Sequence, residues 1–147
     1  MAFSCSLESL LRLRSSLERQ EQARLQLSAQ RMFAAQTRCE SLANERIELE
    51  NKFRVLLKAG MNSPELYFYL SSKSGLDSAE AEAKRTVAEA QKQWQDQRTR
   101  FLKSRQDREV ISSVRDRQYQ EYLVQQTRHE QQQIDDLFAI RLLRQNG

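Results

Sequence analysis

The sequence predicts an all-α fold, an elongated antiparallel two-helix coiled-coil hairpin with a short helix in the connection, and three observations predict it. Apolar residues recur in steps of three and four along two long segments, the signature of helices that share a seam. The single proline, Pro64, and two of the three glycines, Gly60 and Gly75, fall within residues 60–78, so the chain has almost no other place to turn. Only 39% of the 147 residues are apolar and 30% are charged, enough for a seam but not for a thick core. The expected organisation is one coiled-coil domain over 1–147. A first long helix covers about 5–59, the connection with its short helix 60–78, and a second long helix about 78–143.

In the first helix the stripe reads Leu25, Ser28, Met32, Ala35, Cys39, Leu42, Arg46, Leu49, Phe53 and Leu56. Upstream it continues through Leu7, Leu10, Arg14, Leu17 and Glu21, where two consecutive four-residue steps predict a stutter. Small residues near the middle allow a partner helix to come close. Lys58-Ala59-Gly60 reads as a helix end, with a cation against the terminal carbonyls and a glycine able to take the left-handed conformation.

Asn62-Ser63-Pro64-Glu65 restarts the helix, with Ser63 as N-cap and Pro64 at N1. A helix of about two turns then carries Leu66, Tyr67, Phe68, Tyr69 and Leu70. Lys73-Ser74-Gly75 is expected to stop it, and Asp77 with Glu80 resembles a capping box for the last helix. Tyr67, Phe68 and Tyr69 form a candidate partner-binding cluster, although one or two of them are needed to plug the end of the seam. The second long helix has a patchier stripe: Ala79, Ala83, Val87, Ala90, Trp94 and Phe101, then Ile111, Val114, Tyr119, Tyr122, Leu123, Ile134, Leu137 and Phe138. It exceeds the first by about ten residues, so about 15 Å is expected to overhang.

Several function classes are excluded by what the residues lack. No apolar run approaches the roughly 18 residues of a membrane span. The N-terminal residues lack the basic start, apolar core and small-residue cleavage site of a signal peptide, which predicts a cytoplasmic protein. Cys5 and Cys39 have neither CxxC spacing nor a histidine partner, so no metal site is expected and both are read as thiols. No phosphate-binding glycine loop, HExxH or nucleophile–base motif is present, and the lone His129 fits a helix surface, so neither a cofactor nor an enzyme is expected. The net charge of +4 and the run Arg98, Arg100, Lys103, Arg105 and Arg108 raise nucleic acid as a ligand. Those cations lie on more than one helical face and have Asp96, Asp107 and Glu109 close by, so a solvated face is the reading and no nucleic-acid partner is expected.

The opening Phe3-(x3)-Leu7-(x2)-Leu10-Leu11-Arg12-Leu13-Arg14, followed by Glu18, Glu21 and Ala23, resembles the start of the FliJ family of flagellar type III export proteins. The run Gln131-Gln132-Gln133-Ile134-Asp135-Asp136-Leu137-Phe138-Ala139-Ile140-Arg141 resembles that family's C-terminal segment, with Asp136 where Glu is usual. The resemblance spans the whole chain. It implies a hairpin similar to the central stalk of rotary ATP synthases, whose end carrying both termini enters the ring of a hexameric export ATPase. The implied ATPase-binding residues are Leu7, Leu10, Arg14, Ile134, Leu137, Phe138 and Arg141. Further implied partners are the cytoplasmic domain of the membrane export gate protein and substrate-specific export chaperones, at the cytoplasmic face of the inner membrane. Two alternatives stand beside it: the equivalent stalk of a virulence-type injectisome, and a structural scaffold that dimerises as a parallel coiled coil.

Overall fold

The computed structural model describes residues 7–147, and Phe3 and Cys5 lie outside the described residues. Two helices account for almost all of it: α1, Glu8–Ala59, and α2, Ser63–Asn146. They pack against each other as a helical hairpin, with no strand among the described residues. Between Glu8 and Ala59 there is neither glycine nor proline, and Leu, Arg, Gln, Glu and Ala, all strong helix formers, dominate.

The turn follows from its local chemistry. Gly60 has φ +88°, the left-handed conformation that ends α1, and its N–H donates to the Leu57 carbonyl at 3.4 Å. Asn62, not Ser63, is the N-cap of α2: its Oδ1 accepts from the Glu65 N–H at 3.0 Å, while its carbonyl accepts from the Leu66 N–H at 3.1 Å. Pro64 therefore sits one residue deeper than expected, still in the first turn, where its missing N–H leaves no hydrogen bond unmade.

The expected short helix forms but does not stop. Gly75 lies inside α2, which runs without interruption to Asn146. A single interior glycine costs a helix only about 1 kcal/mol relative to alanine, and the packing of Ser72, Leu76 and Ala79, all half-buried, outweighs it. Asp77 and Glu80 do not form a capping box. Asp77 pairs with Arg46 of α1, and Arg46 Nε lies 3.2 Å from Glu80 Oε1.

Contacts divide the chain into two units. The turn unit comprises Gln20–Leu102, and the terminal unit joins α1 up to Arg19 with α2 from Lys103. In the turn unit, the step from the Arg46–Asp77 pair to the stack of Phe53 on Tyr69 advances along α1 while retreating along α2, as antiparallel helices require. The buried residues there are Ala35, Leu42, Ala83, Ala90 and Gln97, mostly small. In the terminal unit Arg14 faces Asp107, Glu18 faces Arg108 and Glu8 faces Arg115.

Burial corrects the expected stutter. Along α1 the buried or half-buried positions keep a seven-residue spacing in two rows: Leu7, Arg14, Glu21, Ser28, Ala35, Leu42 and Leu49, and Leu11, Glu18, Leu25, Met32, Cys39, Arg46 and Phe53. Glu18 holds the seam position assigned to Leu17, which is exposed, as is Leu56. The extra four-residue step lies in α2 instead, at Ala79, Ala83 and Val87, where Glu80 is half-buried beside Ala79.

The two helix-breaking residues differ in backbone, and this sets opposite outcomes. A Cβ at either Gly60 or Gly75 meets nothing within 4 Å, but only Gly60 has positive φ. Gly60→Ala should lower stability by about 1–2 kcal/mol through left-handed strain, whereas Gly75→Ala should raise it by about 0.5–1 kcal/mol. Urea unfolding followed by circular dichroism checks both.

Candidate partner-binding surfaces

In the terminal unit the seam mixes ion pairs with apolar side chains such as Leu7, Leu11 and Ile111. Arg14 Nη1 stands 3.5 Å from Asp107 Oδ2, Arg108 pairs with Glu18, and Arg115 Nη1 stands 3.6 Å from Glu8 Oε1. The Glu18 and Arg108 side chains are largely covered, so their attraction is screened less than that of a surface pair. In the turn unit, buried Gln97 donates through Nε2 to the Glu21 carbonyl at 3.3 Å and to its carboxylate, which Arg24 also approaches at 3.1 Å. The cation run noted in the sequence is thus partly consumed: Arg108 by Glu18, Arg105 by Glu109 at 3.0 Å, and Arg98 by the face of Trp94 at 5.7 Å.

Beyond Leu123 the character of α2 changes. Every residue from Val124 to the end is exposed, a helical stretch of about 23 residues or about 35 Å. The overhang exceeds the expected 15 Å because α2 starts pairing directly after the turn and uses up α1 sooner. On this stretch Ile134, Leu137, Phe138 and Leu142 follow i, i+3, i+4, i+8 spacing and share one face. Ile134 is 59% exposed, Leu137 62% and Phe138 63%. His129 is exposed, with Nε2 3.2 Å from Gln133 Nε2, and no group of three metal-ligating side chains occurs among the described residues.

The candidate residues of the terminal unit therefore separate into two groups. Leu7 and Arg14 are half-buried on the seam rows and Leu10 is half-buried beside Leu11, whereas Ile134, Leu137, Phe138 and Arg141 lie on the exposed extension. Ile134 follows Asp107, the partner of Arg14, by about 27 residues, or about 40 Å of helix. In the turn unit the aromatic cluster also divides. Tyr69 stacks on Phe53 with centroids 3.8 Å apart and closes the seam, while Tyr67 and Phe68 are 75% and 71% exposed. Sequence reasoning named their exposed neighbours Leu66 and Leu70 without giving them a role, and missed Val55 and Leu57. The signal was available: each is apolar yet stands off the seam rows.

Comparison with known families decides what these surfaces belong to. The model of the flagellar FliJ protein family matches residues 3–147. The chain belongs to the FliJ family. No curated protein and no solved structure gives a significant match. Membership places the chain among the non-catalytic components of flagellar type III protein export, whose role is exercised through protein partners. No helix of the described residues is long and apolar enough to cross a membrane.

The Glu18–Arg108 pair offers a direct measure of how tightly this family member holds the ion pairs of its seam. A double-mutant cycle with Glu18→Gln and Arg108→Gln should give a coupling of about 1 kcal/mol. Because both side chains are largely covered, repeating the unfolding in about 1 M salt should lower it only in part.

Proposed function

We propose that this FliJ-family chain is the stalk of the flagellar export ATPase. Its exposed C-terminal extension enters the hexameric ring, and the body of the hairpin meets the cytoplasmic domain of the membrane export gate protein. In the same setting it serves as an export chaperone or as an escort for substrate-specific export chaperones, working in the cytoplasm at the inner membrane.

One observation supports the stalk reading most: the uncovered apolar face of α2 formed by Ile134, Leu137, Phe138 and Leu142. A helical segment with no tertiary packing draws its stability from local propensity and i,i+4 contacts such as Gln131 to Asp135 at 3.0 Å. Burial inside a ring would supply the missing apolar contacts at about 25 cal/mol per Å². Arg141, i+7 from Ile134, and Arg144, i+7 from Leu137, stand on the same side toward the end of α2 and suit acidic loops. Leu7, Leu10 and Arg14 act in this reading by holding the start of α1 on α2, which sets where the extension begins.

Deleting residues 134–147, or replacing Leu137 and Phe138 by Asp, should abolish stimulation of the purified export ATPase. Helicity by circular dichroism should fall only in proportion to the residues removed, since none of them packs in the seam. Full stimulation by the folded truncation would move the ATPase contact elsewhere.

A further inference from the structure

The turn carries a second uncovered apolar surface, with a charge pattern unlike the first. Val55 and Leu57 on the last turns of α1 and Leu66, Tyr67, Phe68 and Leu70 on the first turns of α2 are all exposed. Between residues 51 and 75 there are four cations, Lys52, Arg54, Lys58 and Lys73, against one carboxylate, Glu65. These 25 residues thus hold three of the chain's four net positive charges. All four cations are exposed, whereas Glu65 is half-buried at the start of α2, where the positive end of the helix dipole offsets its charge. No ion pair with an acidic side chain occupies any of the four cations among the described residues.

We infer that the turn is a docking surface for an anionic lipid bilayer. Two features favour lipid over an acidic protein. Tyr67 has the amphipathic ring favoured at headgroup depth, and the apolar residues surround the chain reversal on both helices, where the concavity lined by Asn51, Lys52, Val55 and Leu56 is shallow and wide open. Long lysine and arginine side chains reach lipid phosphates while their stems cover apolar surface. Apolar insertion combined with several cations gives reversible attachment to an anionic surface. The inference rests on the stalk reading only in assigning the turn to the membrane side, since the extension is assigned to the ATPase.

The test is sedimentation of the full chain with vesicles of phosphatidylcholine alone or with about 30% phosphatidylglycerol. Binding should occur only with the anionic vesicles and be lost in about 0.5 M salt. Tyr67→Ser with Phe68→Ser should weaken it about ten-fold, and Lys58→Gln with Lys73→Gln about 25-fold, five-fold per charge. All four side chains are exposed, so circular dichroism should not change. Absence of pelleting with anionic vesicles at low salt, or undiminished pelleting by both variants, overturns the inference. Capture by an immobilised glutamate-rich peptide without vesicle binding overturns it in favour of an acidic protein partner. The same variants should stimulate the ATPase fully. A failed vesicle assay with intact dependence on residues 134–147 refutes the lipid surface alone, and the converse refutes the ATPase contact alone.

Discussion

A seam one side chain wide is the constraint on which the rest of this structure depends. Two helices have only one line of contact, so each heptad contributes two positions from each helix and nothing lies behind them. Among the described residues burial falls on Ala35, Leu42, Ala83, Ala90 and Gln97, a core too thin to tolerate misplaced bulk. In the turn unit small residues at the seam, Ala35, Ala83 and Ala90, remove the bulk that would hold the helices apart. The terminal unit adds charge to its apolar positions, and the Arg14, Glu18, Asp107 and Arg108 side chains stand at seam positions.

That difference explains what the sequence revealed and what it hid. The end of α1 was legible because Lys58-Ala59-Gly60 is a purely local signal, and Gly60 adopts the positive φ it foretells. The stripe from Leu25 to Phe53 was legible because its steps of three and four hold over the whole length, past the exposed apolar neighbours Leu27, Phe33 and Ile47. Glu18 was not, since Leu17 beside it is the more apolar residue and only the presence of Arg108 across the seam decides between them. Gly75 misled for the same reason: Lys73-Ser74-Gly75 looks like a stop until Asp77 is seen to have Arg46 as a partner. Of the candidate functional residues, the exposure of Ile134, Leu137 and Phe138 followed from the surplus length of α2. The division of Tyr67, Phe68 and Tyr69 needed the register that brings Tyr69 onto Phe53.

Apolar side chains that the seam cannot use collect in two places, one in each unit. In the terminal unit they form a stripe on a single helix. In the turn unit they surround a chain reversal amid cations. Both patches belong to a FliJ-family chain whose role is exercised through partners, and neither is needed to hold α1 on α2.

The few residues from Gly60 to Pro64 also govern how many chains make one coiled coil. Were this stretch helical, α1 and α2 would merge into a single rod, and two such rods could exchange halves, each α1 pairing with the other chain's α2 through the same side chains. The seam cannot discriminate against that exchange, because its contacts are identical in both arrangements. Discrimination rests on the backbone: the left-handed Gly60, the Asn62 cap that starts a new helix, and Pro64, whose ring would clash with the Gly60 carbonyl in a continuous one. The choice between pairing within one chain and exchange between two is thus encoded in local chain punctuation, in residues outside the seam itself.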